Sequence, residues 1–150
     1  MRKPLFAAVA VLAVGLSGLA NAATKAQHTH GVAWVGLTHT EGNSLYISGD
    51  FKDAKLGRGA IVYVTRVSGS SKPGTVHVVA RSVIIYTAAG SLKGTGAADE
   101  AITASTVTVK NGTFSLTKGT GAYKGHTFTG TFSGPQVKGV YTFTYNAVLR

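Results

Sequence analysis

The sequence predicts an all-β fold: a roughly eight-stranded antiparallel barrel preceded by a cleavable signal peptide. Two observations predict it. Beyond residue 30 nearly every segment alternates with period two and is rich in β-branched and aromatic residues, the pattern of half-buried strands and not of helices. In the last two runs the aromatic and hydroxylated side chains separate cleanly onto opposite faces. The chain has no cysteine, so an exported form would be held by packing and hydrogen-bonded sheet alone; thiol catalysis and thiolate metal sites are excluded.

The first segment has the layout of an export signal. Basic Arg2 and Lys3 precede an apolar run from Leu5 to Leu19, and small Ala20 and Ala22 flank Asn21, so cleavage is expected after Ala22. The run is shorter than the ~18 apolar residues of a membrane-spanning helix. Residues 1–22 are therefore read as a signal, 23–30 as a flexible N-terminal segment and 31–150 as one barrel domain, exported to the periplasm or the medium.

The strands follow in order. "GVAWVGL" (Gly31 to Leu37) and "SLYISG" (Ser44 to Gly49) flank the turn-prone "TEGN", and "DFKDAKLGRG" (Asp50 to Gly59) reads as a charged loop. "AIVYVTRV" (Ala60 to Val67) is a strand ended by "SGSSKPG", with Pro73 and Gly74 as punctuation. "TVHVVARSVIIYT" (Thr75 to Thr87) is long enough for a bent strand across the domain. "GSLKGTGAADEAIT" (Gly90 to Thr103) reads as a strand loosened by glycines. "STVTV" and "TFSLT" flank Asn111 and Gly112, a strong hairpin signal, which also accounts for the glycosylation-like "NGT". "HTFTGTFSG" and "GVYTFTYNAVL" are joined around Pro135 to Lys138. About eight strands is the number at which a closed sheet leaves an interior just filled by side chains or able to hold one small ligand. In the last two strands Phe128, Gly130 and Phe132 share a face, as do Tyr141, Phe143 and Tyr145. Thr suits the solvent side, so the aromatics are placed inside.

Between two such strands stands "GTGAYKG" (Gly119 to Gly125). It is not a dinucleotide-binding loop: Lys124 occupies the third glycine position, and no helix pattern follows to hold a pyrophosphate. Gly119 and Gly121 instead permit a sharp corner, with Tyr123 plugging one end of the barrel and Gly125 restarting the chain. On "LTKGTGAYKGHTFTGTFSG" and the upstream "GSLKGTG", the chain resembles the allene oxide cyclase and dirigent-type β-barrels, including bacterial secreted proteins with a GTG-x-Y-x-G segment. The resemblance covers Gly31 to Arg150. It implies an apolar interior that takes a hydrophobic or phenolic small molecule, and assembly as a dimer or trimer. The family's catalytic carboxylate and polar groups have no motif-matched positions here, so no catalytic residue is assigned.

The expected ligand-lining set is Trp34, Tyr123, Phe128, Phe132, Tyr141, Phe143 and Tyr145, with His77 and Arg81 as polar groups if their face of the Thr75–Thr87 strand points inward. If it points outward, Ser82, Ile84 and Tyr86 line the core instead. His28 and His30 point the same way in an extended chain, as two ligands of one metal would, with His39 on the other side. Paired histidines near a mature terminus are more commonly solvated, and no metal site is assigned. Glu41, Asp50 and Asp53 could supply the one carboxylate that an allene-oxide-cyclase-like isomerisation would want, but an acid in a Gly/Lys-rich loop is usually solvated, and none is assigned a catalytic role. No cofactor is expected.

Removing Arg2 and Lys3 from the 15 basic residues leaves 13 against five acids, a net charge of +8 with His neutral. Such a charge favours anionic partners, notably acidic polymers of the cell envelope, but the basic residues are scattered and suggest no specific nucleic-acid partner. Three functions stand open: a small-molecule binding module, an isomerase or cyclase steering a reactive substrate inside the barrel, and a non-catalytic cationic envelope-interaction protein.

Overall fold

Eight antiparallel strands close on themselves: β1 (Gln27–Glu41), β2 (Ser44–Asp53), β3 (Gly57–Gly69), β4 (Thr75–Thr87), β5 (Gly90–Ile102), β6 (Val107–Gly119), β7 (Phe128–Val137) and β8 (Val140–Leu149). Each pairs with its neighbour in sequence and β8 returns to β1, completing the barrel. The computed structural model describes residues 25–70 and 72–150; the expected export signal, residues 1–22, lies outside the described residues. One 3₁₀ turn, Gly121–Tyr123, is the helical element among the described residues.

Several boundaries differ from the sequence expectation. β1 begins at Gln27, not Gly31, because Gln27 to His30 pair in register with Leu149 to Asn146 of β8. His28 and His30 are therefore strand residues. The expected loop Asp50–Gly59 is mostly strand, with the turn confined to Ala54–Leu56. The expected hairpin at Asn111–Gly112 is a bulge within a continuous β6, where register with β7 shifts between Val109 and Gly112. Gly112 is not among the residues with positive φ, which a two-residue Asn-Gly turn requires. It is buried instead, and the Phe132 ring occupies the space a Cβ would need. The β7–β8 turn is made by Lys138 (φ 52°) and Gly139 (φ 82°), so Pro135 belongs to β7.

The barrel has two unlike ends. At one, the corner end, lie the β2–β3, β4–β5 and β6–β7 connections; at the other, the far end, lie the β1–β2, β3–β4, β5–β6 and β7–β8 turns. The Gly119–Gly125 corner packs on the β4–β5 turn. Gly121 adopts φ +59° against the Ala89 carbonyl, which a Cβ would strike, and the Ala122 N–H donates to that same oxygen at 2.9 Å. Tyr123 is 8% exposed, and the Thr87 hydroxyl donates to its phenol oxygen at 3.1 Å. The answer to what this motif does is mechanical: its glycines admit close backbone approach, and that approach seats the tyrosine in the core at the corner end.

Candidate functional site

Inside the barrel, large rings face glycines on the adjoining strand. Phe51 lies opposite Gly59, Phe132 opposite Gly112, Phe114 opposite Gly130 and Tyr145 opposite Gly31. In each pair the ring occupies the position of the missing Cβ, with nearest ring atoms at 2.6, 2.5 and 2.8 Å from it for the three phenylalanines. Strand glycines commonly mark such close approaches. Rings that lie over the wall leave space along the axis, and a cavity of about 110 Å³ remains there.

Its lining is almost wholly apolar. One wall is aromatic: Phe114 packs edge-on to Tyr145 (6.0 Å between ring centres) and tilted on Phe128 (5.3 Å), while Phe132 meets Phe143 at 5.0 Å. The opposite wall is aliphatic, with Ile47, Ile61, Val83 and Ile85. Toward the far end the lining turns polar at Thr65, Tyr63 and Glu100. Thr65 already donates its hydroxyl to the Val79 carbonyl at 3.2 Å. Glu100 Oε1 accepts one long hydrogen bond, 3.4 Å, from the Tyr141 hydroxyl.

Burial raises the Glu100 carboxyl above its ordinary value, and the Tyr141 bond only partly offsets this. Burial and the neighbouring Glu100 push the Tyr141 phenol up to about 12, and burial, with Tyr141 and Glu100 nearby, raises Tyr63. The group is a carboxyl disposed to keep its proton, beside two phenols that remain O–H donors at neutral pH. It can hydrogen-bond a ligand hydroxyl or exchange a proton with it.

The structure places the expected lining residues unevenly. Phe128, Phe132, Phe143 and Tyr145 line the cavity. Tyr141 stands behind it through Glu100, and Tyr123 caps the core outside the lining. Trp34 does not belong to the set: small Ala33 and Val35 take the inward positions of β1, leaving Trp34 outside and 45% exposed. His77 and Arg81 do not belong either. β4 carries a bulge at Arg81, where its register with β3 and β5 shifts, so the inward face is Val78 and Ala80 before it and Val83 and Ile85 after it. Neither of the two uniform faces expected for this strand exists. His77 sits on the outer surface, its Nδ1 2.7 Å from Asp99 Oδ1.

Asp53 is not a solvated loop acid. It is 4% exposed, and its Oδ1 accepts from the Thr29 hydroxyl (2.7 Å) and the backbone N–H groups of Lys55 (2.7 Å) and Leu56 (2.8 Å). Its Oδ2 and the buried Tyr145 hydroxyl each lack a hydrogen-bond partner among the described residues; burial, then the nearby Asp53 carboxylate, raises the Tyr145 phenol. Among the described residues no group of three or more His, Cys, Asp or Glu is placed to hold a metal ion. His28 and His30 are exposed on the outer face of β1, and His39 stacks on Tyr46 at 4.1 Å.

Glu100 and Tyr63 were not anticipated from the sequence. A signal existed: Leu92, Gly94, Gly96, Ala98 and Glu100 alternate along β5, so one small apolar face ends in a single carboxylate. Fold and site together define an antiparallel eight-stranded barrel with an apolar lumen and one carboxyl at its far end. No family model, curated protein or solved structure matches the chain.

Proposed function

We propose that the barrel binds a single-ring hydrophobic or phenolic molecule, with the ring against Phe114, Phe132 and Phe143 and its hydroxyl toward Glu100. The observation that carries this reading is the cavity of about 110 Å³, apolar except at Glu100, Tyr63 and Thr65. An apolar cavity of roughly 150 Å³ is enough to take up benzene. One ring is therefore the natural limit, and a larger ligand requires half-buried Phe132 or Tyr141 to move. The resemblance of the Gly119–Gly125 corner to the allene oxide cyclase and dirigent-type barrels agrees with this reading, and the export-signal layout would place the module in the periplasm or the medium.

A second reading, isomerisation of a reactive substrate inside the lumen, rests on the same Glu100. That chemistry needs a buried ionisable group, and Glu100 is one in contact with the cavity.

Titration with phenol and with toluene, followed by methyl NMR of Ala98 and Val109, tests the binding reading. Both should shift these lining signals, phenol about fivefold more tightly, the worth of one hydrogen bond of about 1 kcal/mol. Ala98→Leu, which fills the lumen, should abolish both. Unshifted signals at the solubility limit of both compounds, or undiminished binding by Ala98→Leu, would refute the reading. Glu100→Leu, which removes the polar group, should retain toluene and erase the preference for phenol.

A further inference from the structure

The basic residues show no run in the sequence, but strand register gathers them. Lys52 of β2 pairs directly with Arg58 of β3, and Lys93 of β5 pairs directly with Lys118 of β6. All four are exposed, as are Lys55 in the β2–β3 turn and Lys124 after the 3₁₀ turn. All six belong to the corner end. Of the acids near it, Asp53 is buried with its Oδ1 engaged in three hydrogen bonds, which leaves exposed Asp50. At the far end Arg66, Lys72, Lys110 and Lys138 stand near Glu41, Asp99 and Glu100, so most of the net charge sits at the corner end.

Like charges directly opposite one another on neighbouring strands destabilise a sheet. Two such pairs occur here. Among the described residues none of the six has a carboxylate within salt-bridge distance, the ion pair present being His77–Asp99. Both pairs therefore weaken the fold unless an anion relieves them. Between them, on β4, stands Tyr86, 47% exposed and paired with Ala60 of β3 and Ser91 of β5. The arc from β2 to β6 thus reads cation pair, aromatic ring, cation pair. The centres of the two pairs are three strand spacings apart, about 14 Å at ~4.8 Å each.

We propose that this arc is a docking face for a flexible, linear acidic glycan. Five of the six cations are lysines, point charges that respond to charge density more than to the fork geometry an arginine imposes. They lie around a convex end, where a flexible chain can reach both flanking pairs and a flat bilayer would meet only the turn tips. The one exposed ring suits the apolar face of a sugar, whereas tracking a single-stranded nucleic acid takes a series of aromatics on which successive bases stack.

Binding of the whole protein to polygalacturonate, with neutral dextran as the blank, tests this. The triple variant Lys52→Gln, Lys93→Gln, Lys118→Gln should bind at least tenfold more weakly at about 0.15 M salt, and with a shallower salt dependence. The far-side triple Lys72→Gln, Lys110→Gln, Lys138→Gln removes the same charge and should stay within twofold of the parent. Tyr86→Ala should weaken binding severalfold. Relief of like-charge pairs should leave the first triple no less heat-stable than the parent, which separates lost binding from lost folding. Equal weakening by both triples would reduce the effect to net charge and overturn the proposal. So would tighter binding to anionic vesicles or duplex DNA than to the glycan, or no binding to polygalacturonate at this salt.

Discussion

Asp53 and Glu100 are both carboxylates on inward faces of the same barrel, one at each end, and they differ in how many donors reach them. Asp53 is buried where three donors converge on one oxygen. Glu100 is half-buried where a single long bond from Tyr141 reaches it. For Glu100, burial outweighs that single bond and favours the proton. A carboxylate that organises a turn and one that is available to a ligand differ in how many donors the backbone supplies, not in depth alone.

The largest effect should come from disturbing the space over which Asp53 and Tyr145 meet. Gly31 pairs with Asp53 on one side and Tyr145 on the other. A Cβ there would collide with the Tyr145 ring and with the Lys52 carbonyl. Gly31→Ala is therefore expected to cost about 3 kcal/mol in chemical denaturation, at the upper end of overpacking costs. A loss below about 1 kcal/mol would show that Tyr145 can be displaced cheaply. Next comes Asp53→Ala, which strands the Thr29 hydroxyl and two N–H groups and should cost about 2 kcal/mol or more. Asp53→Asn keeps an acceptor for all three and should cost less than half as much.

Glu100→Gln should act in the other direction. Because the folded carboxyl holds its proton more tightly than the unfolded one, the folded state carries the extra proton as pH rises past the ordinary glutamate value of 4.5. Parent stability should then decline with rising pH above that point until the folded carboxyl has also ionised. Glu100→Gln cannot ionise, so the decline should flatten, leaving the variant equal or more stable at neutral pH. Melting temperatures of both proteins from pH 4 to pH 8 decide it; parallel curves would show that Glu100 is effectively solvated.

How much of this was legible depended on whether the two faces of a strand differ. In β7 and β8, Thr and aromatic residues separate, so the lining residues Phe128, Phe132, Phe143 and Tyr145 could be read directly. β4 is apolar on both faces and switches face at a bulge, so no single period describes it. Trp34 misleads because size suggested the interior, whereas Ala33 and Val35 take those positions. Asn111–Gly112 misleads because a two-residue signature cannot distinguish a turn from a bulge; the pairing of both neighbouring strands decides. Asp53 looked like a solvated acid because the donors that bury it include Thr29, 24 residues away. The Gly119–Gly125 corner was readable because its glycines and its tyrosine stand together in one short stretch, although the Ala89 carbonyl and Thr87 hydroxyl it packs on do not.

The smallest effect compares the outer surfaces of the same two ends. Lys93→Glu converts the Lys93–Lys118 pair at the corner end from repulsive to attractive. A directly opposed pair of this kind is worth about 0.5 kcal/mol, less when fully solvated. The variant should melt slightly higher than the parent at low ionic strength, and the gain should fade as salt screens the pair. It should also bind polygalacturonate more weakly, so that one substitution moves stability and binding in opposite directions. Lys138→Glu at the β7–β8 turn adds the same charge away from any such pair and should change neither by a comparable amount. If Lys93→Glu instead lowered the melting temperature at low salt, the cation pair would not be a source of strain, and the charge asymmetry of the two ends would lose its energetic basis.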